Sequence, residues 1–226
     1  MTKFFPFLLL FSTSLAAAEQ CTVSTFYDDF NGTSLDQSVW RYQNGDGCDL
    51  DLCGWGNNEQ QVYTPKNTRI QNGHFVIKAT QAADGLIESG KIITQGNFSQ
   101  KYGRFEARIK VPDGLGLWPA FWLMPDNTRL KWPLAGEIDI LERPGRSNED
   151  LHTVIGAAHF GALWPLNVHF AQFLRMPKPW HDECHIYRLD WTPERLQWQV
   201  DDKVLLRYSA VKLVNTVGHL KIIPFM

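Results

Sequence analysis

Three carboxylates stand within six residues in Gly136-Glu137-Ile138-Asp139-Ile140-Leu141-Glu142. The isoleucines between them favour a β-strand. Alternate side chains of a strand share a face, so Glu137 and Asp139 point the same way. Glu142 lies five positions past Glu137, and an odd offset would turn it to the other face. One extra residue, a β-bulge near Ile140-Leu141, restores the parity and brings all three acids onto one surface. Like charges that close cannot all ionise at neutral pH, so at least one pKa must rise. A neutral acid beside an ionised carboxylate is what cleavage of a glycosidic bond requires. Acids alternating with isoleucines also suit the solvated face of an amphipathic strand. Three acids with no Lys or Arg between them weigh against that, because like neighbours destabilise a sheet.

The elements that must hold these acids read as short strands. Candidates are Phe75 to Ala79, Gly103 to Val111, Ala120 to Met124, Glu137 to Leu141, Thr153 to His159, His185 to Trp191 and Leu196 to Val200. Gly, Pro, Asn and Asp separate them, as turns should. Phe105-Glu106-Ala107-Arg108-Ile109-Lys110-Val111 alternates with period two, and no long stretch has helical periodicity. The expected fold is all-β, an antiparallel sandwich or jelly roll.

The first 18 residues read as a secretory signal: Lys3 supplies the positive end, Phe4 to Phe11 the apolar core, and Ala16-Ala17-Ala18 a small-residue cleavage site. The apolar run is too short to span a bilayer, so a secreted, soluble product is expected. The remainder, 19–226, suits one domain. The formal net charge of −2 comes with no basic run, which argues against nucleic acid and anionic membranes. Nine tryptophans are many for this length, and aromatic faces suit sugar rings. Of the four cysteines, Cys48 and Cys53 flank a short polar loop and are the expected disulfide. Cys21 and Cys184 could form a second bridge, or Cys184 a buried thiol. Asn31-Gly32-Thr33 and Asn97-Phe98-Ser99 are glycosylation sequons. His181-Asp182-Glu183-Cys184-His185 does not match the helical zinc-site spacing, and no Gly-x-Ser-x-Gly elbow, phosphate loop or Cys-x-x-Cys pair is present.

Gly136 to Glu142, preceded by Trp132-Pro133, resembles the active-site signature of glycoside hydrolase family 16. The extra residue before the last Glu resembles the laminarinase-like branch, which holds endo-β-1,3-glucanases and the non-catalytic β-glucan recognition proteins of invertebrates. Further similar segments are Asp28-Asp29-Phe30-Asn31-Gly32, Ser38-Val39-Trp40, Cys53-Gly54-Trp55-Gly56-Asn57-Asn58-Glu59 with Tyr63-Thr64, Tyr102 to Ile109, Leu117 to Leu123 and His185 to Pro193.

The resemblance implies a β-jelly roll with a concave sugar-binding cleft. It implies Glu137 as nucleophile, Glu142 as general acid/base, and Asp139 between them tuning their protonation. Trp118 and Trp132 would be sugar-stacking walls; Asn58, Glu59 and Arg104 would bind hydroxyls, although Arg104 also suits a structural ion pair. His159 falls where the family has a cleft histidine. No cofactor or catalytic metal is implied, although similar proteins can carry a structural calcium ion far from the cleft. The implied partner is a β-glucan polysaccharide, bound by a monomer. Three departures stand out: Gln60 replaces an expected leucine, Cys184 an aromatic, and the chain stops at Ile223-Pro224-Phe225-Met226, where the family continues with further strands. The expectation is therefore a secreted, retaining endo-β-1,3-glucanase domain lacking its C-terminal strands. The alternatives are a β-glucan recognition protein or an inactive truncated isoform.

Overall fold

The computed structural model describes residues 25–112, 114–126, 130–148, 150–163, 165–175 and 183–209, with backbone alone at 209 and 220–225. The signal, Cys21 and His181-Asp182 fall outside these residues. Seven short strands come first: β1 (Arg41–Tyr42), β2 (Val62–Tyr63), β3 (Thr68–Ile70), β4 (Phe75–Ile77), β5 (Thr80–Gln81), β6 (Ile87–Ser89) and β7 (Ile92–Ile93). Nine longer ones follow: β8 (Gly103–Ile109), β9 (Ala120–Pro125), β10 (Glu137–Glu142), β11 (Thr153–Gly161), β12 (Asn167–Arg175), β13 (His185–Trp191), β14 (Arg195–Val200), β15 (Lys203–Ser209) and β16 (Leu220–Phe225). They build two antiparallel sheets, β12-β11-β10-β9-β16 and β15-β14-β13-β8. The all-β sandwich expected from the turn spacing and two-residue alternation is what forms.

The sheets enclose one main core. Phe121, Leu123, Ile138, Ile140, Leu141, Val154, Ala158 and Phe160 enter it from the first sheet; Phe105, Tyr187, Leu189, Trp191, Leu196, Trp198 and Val200 enter from the second. In β13 the alternation is complete: His185, Tyr187, Leu189 and Trp191 are buried and Ile186, Arg188 and Asp190 are not. The outward residues form a charged ladder with β8, where Arg104 stands opposite Asp190 and Glu106 opposite Arg188. Arg188 Nε donates to Glu106 at 2.6 Å.

Three of the nine longer strands lie outside the expected set, as do six of the seven short ones. β12 carries apolar residues on both faces, so it lacks a period-two signal. β15 runs Val204-Leu205-Leu206, and a register shift opposite Trp198-Gln199 interrupts its pairing with β14. β16, whose Lys221 onward reads as the start of a strand, pairs with β9 from Leu220 opposite Pro125 to Phe225 opposite Ala120. Cys48 and Cys53 form the expected disulfide. Cys184 is half-buried and has no disulfide among the described residues.

One cross-core contact ties the sheets together beneath β10. Trp198 is fully buried, and its indole Nε1 donates to the Asp139 carbonyl at 2.8 Å. Gly156 of β11 makes the room: a Cβ there would lie 2.6 Å from Trp198 Cδ1. Trp198 belongs to a packed interior that yields little. Gly156→Ala is therefore expected to lose about 1–3 kcal/mol of stability. Urea denaturation followed by tryptophan fluorescence checks this, and an unchanged midpoint would show that the indole has space to move.

Candidate active site

The expected bulge is present in β10. Asp139 stands opposite Ala157 and Glu142 opposite Ile155, so three steps on β10 match two on β11. Against β9, Asp139 stands opposite Trp122 and Leu141 opposite Phe121, which places the extra residue at Ile140. Ile140 and Leu141 are consecutive, yet both join the core. Glu137, Asp139 and Glu142 consequently share the face turned away from the core. The flanking strands show the same face: His159, Ala157 and Ile155 stand opposite the three acids on β11, and Trp122 and Ala120 stand opposite Asp139 and Glu142 on β9.

Two loops complete the cluster. Trp118 Nε1 donates to Glu142 Oε1 at 3.0 Å, and Trp132 Nε1 donates to Glu137 Oε2 at 2.6 Å. The Trp118 loop is clamped to the chain just after β10. Arg143 N donates to Pro119 O at 3.1 Å, Gly145 N to Leu117 O at 2.8 Å, and Gly116 N to Gly145 O at 2.8 Å. The approach is so close that a Cβ on Gly145 would lie 2.7 Å from Gly114 O. The buried Arg143 side chain donates to Pro112 O. Trp132 stands in the turn that leads into β10, where Gly136 N donates to Pro133 O at 3.0 Å and Gly136 adopts φ 88°. That left-handed conformation favours glycine.

Asp139 is the most enclosed of the acids, at 3% exposure. Its Oδ2 lies 3.4 Å from His159 Nε2. Burial pushes Glu137 well above the ordinary carboxylate range; the Asp139 and Glu142 charges add to this, while His159 and the Trp132 indole oppose it. Burial also drives Asp139 well up, helped by the Glu142 charge and opposed by a hydrogen bond with Glu137. Glu142 is raised by burial and pulled back by the Trp118 hydrogen bond, His159 and Arg146. A cluster of this kind titrates as a unit. It can hold one proton ready to give and one carboxylate ready to attack. Ligand-type atoms of Glu137, Asp139 and His159 also lie within 4.8 Å of one another, close enough to converge on a cation, a grouping the sequence reading did not anticipate.

The other expected residues divide. His159 stands beside Asp139, with its ring tilted 45° to Trp132 at 5.8 Å. Asn58 is exposed at the tip of a loop with φ 57°. Glu59 is engaged within that loop, where it accepts Tyr63 Oη at 2.6 Å and Gln61 Nε2 at 2.6 Å. The loop packs on the acid face, because Trp55, Tyr63 and Ile93 cluster with Ala120, Trp122 and Met124 of β9. Arg104 is a correction. It stands on the outer face of the other sheet, where Nε donates to Asp190 Oδ1 at 2.7 Å and the second nitrogen to Oδ2 at 3.2 Å. The cause is alternation: Phe105 takes the core side of β8, so Arg104 must face outward.

The sequence reading missed Trp122 and Lys91. Buried Lys91 places its ammonium 4.4 Å from the Trp55 ring centroid and 5.3 Å from those of Tyr63 and Trp122. Alternation in Ala120 to Met124 could have revealed Trp122, since Phe121 and Leu123 claim the core side. No local pattern marks Lys91. It also missed that both tryptophan indoles bond the acids, having assigned them to stacking alone.

An antiparallel β-sandwich with a carboxylate cluster on one sheet face has the jelly-roll architecture and the groups for acid–base chemistry. Residues 55–218 match the model of the glycosyl hydrolases family 16, and the chain belongs to that family. It is 37% identical over 207 residues to glucan endo-1,3-beta-glucosidase A1 of Niallia circulans, covering 84% of this chain and 30% of that protein. It therefore spans less than a third of that relative's length. It is 36% identical over 212 residues to the glucan endo-1,3-beta-glucosidase of Cryptopygus antarcticus, covering 88% of this chain and 73% of the other. Among solved structures, the laminarinase from Flavobacterium sp. UMI-01 superposes with a TM-score of 0.77 at 33% identity, covering 88% of this chain and 85% of that one.

The raised carboxyls have a consequence for stability. Their folded-state pKa values lie above the unfolded ones, so the folded protein holds these protons more tightly. That contribution is complete below the unfolded carboxylate range near pH 4 and is lost as pH rises through the raised values. Asp139→Asn removes the titrating group while keeping its shape. It is expected to raise Tm at pH 7, with the advantage shrinking toward pH 4. Calorimetry across that range checks it; a lower Tm than wild type at pH 7 would contradict the argument.

Proposed function

We propose that this protein hydrolyses internal β-1,3-glucosidic bonds of laminarin-like glucans, with retention of anomeric configuration, outside the cell. The observation that carries the reading is the bulged strand that turns Glu137, Asp139 and Glu142 to one face, each acid with a polar neighbour of its own. The relatives named above, called glucan endo-1,3-beta-glucosidases and a laminarinase, supply the linkage. The Cys48–Cys53 disulfide and the N-terminal apolar segment support an oxidising, extracellular setting. No helix among the described residues is long and apolar enough to cross a membrane.

In this mechanism Glu142 gives its proton to the leaving glycosidic oxygen while Glu137 attacks the anomeric carbon. The bond from sugar carbon to leaving oxygen breaks as the Glu137 ester bond forms. Glu142, now ionised and held by the Trp118 indole, takes a proton from water. That water displaces Glu137 and regenerates both groups. Asp139, the most buried acid, holds the retained proton in this reading; neutral, it no longer raises Glu137 by its charge, and the Trp132 indole further favours an ionised nucleophile. No step needs a metal ion.

Reducing-sugar release from laminarin tests the proposal. Glu137→Gln and Glu142→Gln are each expected to lose at least about a hundredfold in turnover, the scale of a positioned acid, base or nucleophile. Chelator should leave turnover in place. Proton NMR should show the β-anomer as the first product; a first-formed α-anomer would refute the double displacement. Binding without any turnover in the wild-type protein would mark a recognition protein instead.

The Trp118 bond yields a separate expectation. It favours ionised Glu142, so Trp118→Phe should raise the pKa of that acid. The basic limb of the kcat/KM profile should then move to higher pH, because Glu142 stays protonated longer. A limb that stays put, with only KM altered, would leave Trp118 a stacking wall alone.

A further inference from the structure

Strand register brings two carboxylates and an imidazole together. Glu137 on β10 stands directly opposite His159 on β11, and opposite residues of an antiparallel pair have Cβ atoms about 4.5–5.5 Å apart. Asp139 lies two residues along the same face, with its Oδ2 3.4 Å from His159 Nε2. Ligand-type atoms of the three all lie within 4.8 Å of one another. Two ligands about 2.1 Å from a tetrahedral zinc ion stand about 3.4 Å apart. The Asp139–His159 spacing already has that value, and Glu137 reaches in on a longer side chain.

Asp139 gives an independent sign that a cation belongs there. It is almost wholly buried, and its Oδ2 accepts no hydrogen bond, whereas buried polar atoms are nearly always paired. The His159 nitrogen faces that oxygen without the alignment of a donor. The three side chains are also held in place. Trp198 Nε1 fixes the Asp139 carbonyl at 2.8 Å. The His159 ring centroid lies 5.8 Å from that of Trp132 and 5.8 Å from that of His169. Trp132 Nε1 donates to Glu137 Oε2 at 2.6 Å, an outer hydrogen bond of the kind that orients a ligating carboxylate. Glu137 and His159 are half-buried, so an ion can reach them from the acid face.

We propose that Glu137, Asp139 and His159 form a binding site for a divalent transition-metal ion of the zinc type, and that the bound ion shuts off the acid cluster. Two carboxylates and an imidazole suit zinc, with a water as the fourth ligand. Magnesium and calcium demand about six or more ligands, nearly all oxygen, and three side chains with one ring nitrogen do not supply them. The ion is an inhibitor and takes no part in cleavage. Bonded to Glu137, it occupies the lone pair that would attack the anomeric carbon. That consequence rests on the glucan reading above, whereas binding of the ion does not. Free zinc around the protein then sets the fraction of molecules able to turn over.

Titration calorimetry with zinc chloride on the full chain at pH 7 tests the site without reference to turnover. His159→Ala and Asp139→Asn should each weaken zinc binding at least about tenfold, since even outer partners of metal ligands are worth about 10–100-fold. Melting curves confirm that the variants are folded, and Asp139→Asn, which keeps its shape, carries the test if His159→Ala does not fold. Glu142→Gln lies outside the three ligands and should still bind zinc, although the glucan mechanism makes it inactive. Magnesium should not bind. A wild-type protein that takes up no zinc overturns the site, as does an affinity unchanged in both ligand variants. So does a loss in Glu142→Gln as large as in those variants. Zinc should also stop reducing-sugar release from laminarin, and chelator should restore it; full turnover with the site saturated overturns the block. If zinc binds through the three residues but the zinc-free protein releases no sugar, the hydrolase reading fails and the metal site stands.

Discussion

One extra residue in β10 governs the site. Without the bulge at Ile140, pleat parity would send Glu142 into the core and Leu141 onto the acid face. The bulge reverses both at once, so the same residue that gathers the acids also closes the core beneath them. It is held from below by Trp198, which crosses from the opposite sheet to the Asp139 carbonyl. The space for that indole exists only because β11 carries Gly156 there. The acid cluster on one face of the sheet thus depends on packing against the other.

Gathering three carboxylates in a partly dry place opposes stability, and the surroundings offset only part of the cost. The Trp118 and Trp132 indoles each donate to one acid and favour its ionised form, and His159 does the same by charge for Glu137 and Glu142, while burial favours the neutral form. The balance leaves protons and charge within reach of each other, which acid–base exchange needs. A fully solvated cluster would ionise completely, and a fully buried one would stay neutral. The donors come from two loops and a neighbouring strand, so the local charge state is a property of the assembled fold.

The two sheets divide their work. The β8-β13-β14-β15 sheet turns a ladder of ion pairs to the outside, including Arg104 with Asp190 and Arg188 with Glu106. The other sheet turns acids, aromatic rings and alanines outward. That contrast separates the ion-paired face from the face that carries the carboxylate cluster. The 53–61 loop borders the second surface through Trp55 and Tyr63, above the buried Lys91.

Much of this was legible in the chain itself. Period-two alternation declared six of the nine strands of the two sheets, and the five-residue offset of Glu142 demanded a bulge at the place where one occurs. The spacing of Cys48 and Cys53 announced their disulfide. These are local consequences of pleat geometry and short loops, and neighbouring residues suffice to state them. What needed the tertiary structure was every relation between distant segments. Arg104 was expected to bind sugar hydroxyls because its segment resembles family 16, but sheet membership decided that it faces Asp190. β12 hides its strand character because it is apolar on both faces, one toward the core and one toward the acid face. The Trp198 anchor and the Trp118 bond to Glu142 depend on how distant segments are brought together, and contacts across such separations leave no periodic trace in the sequence.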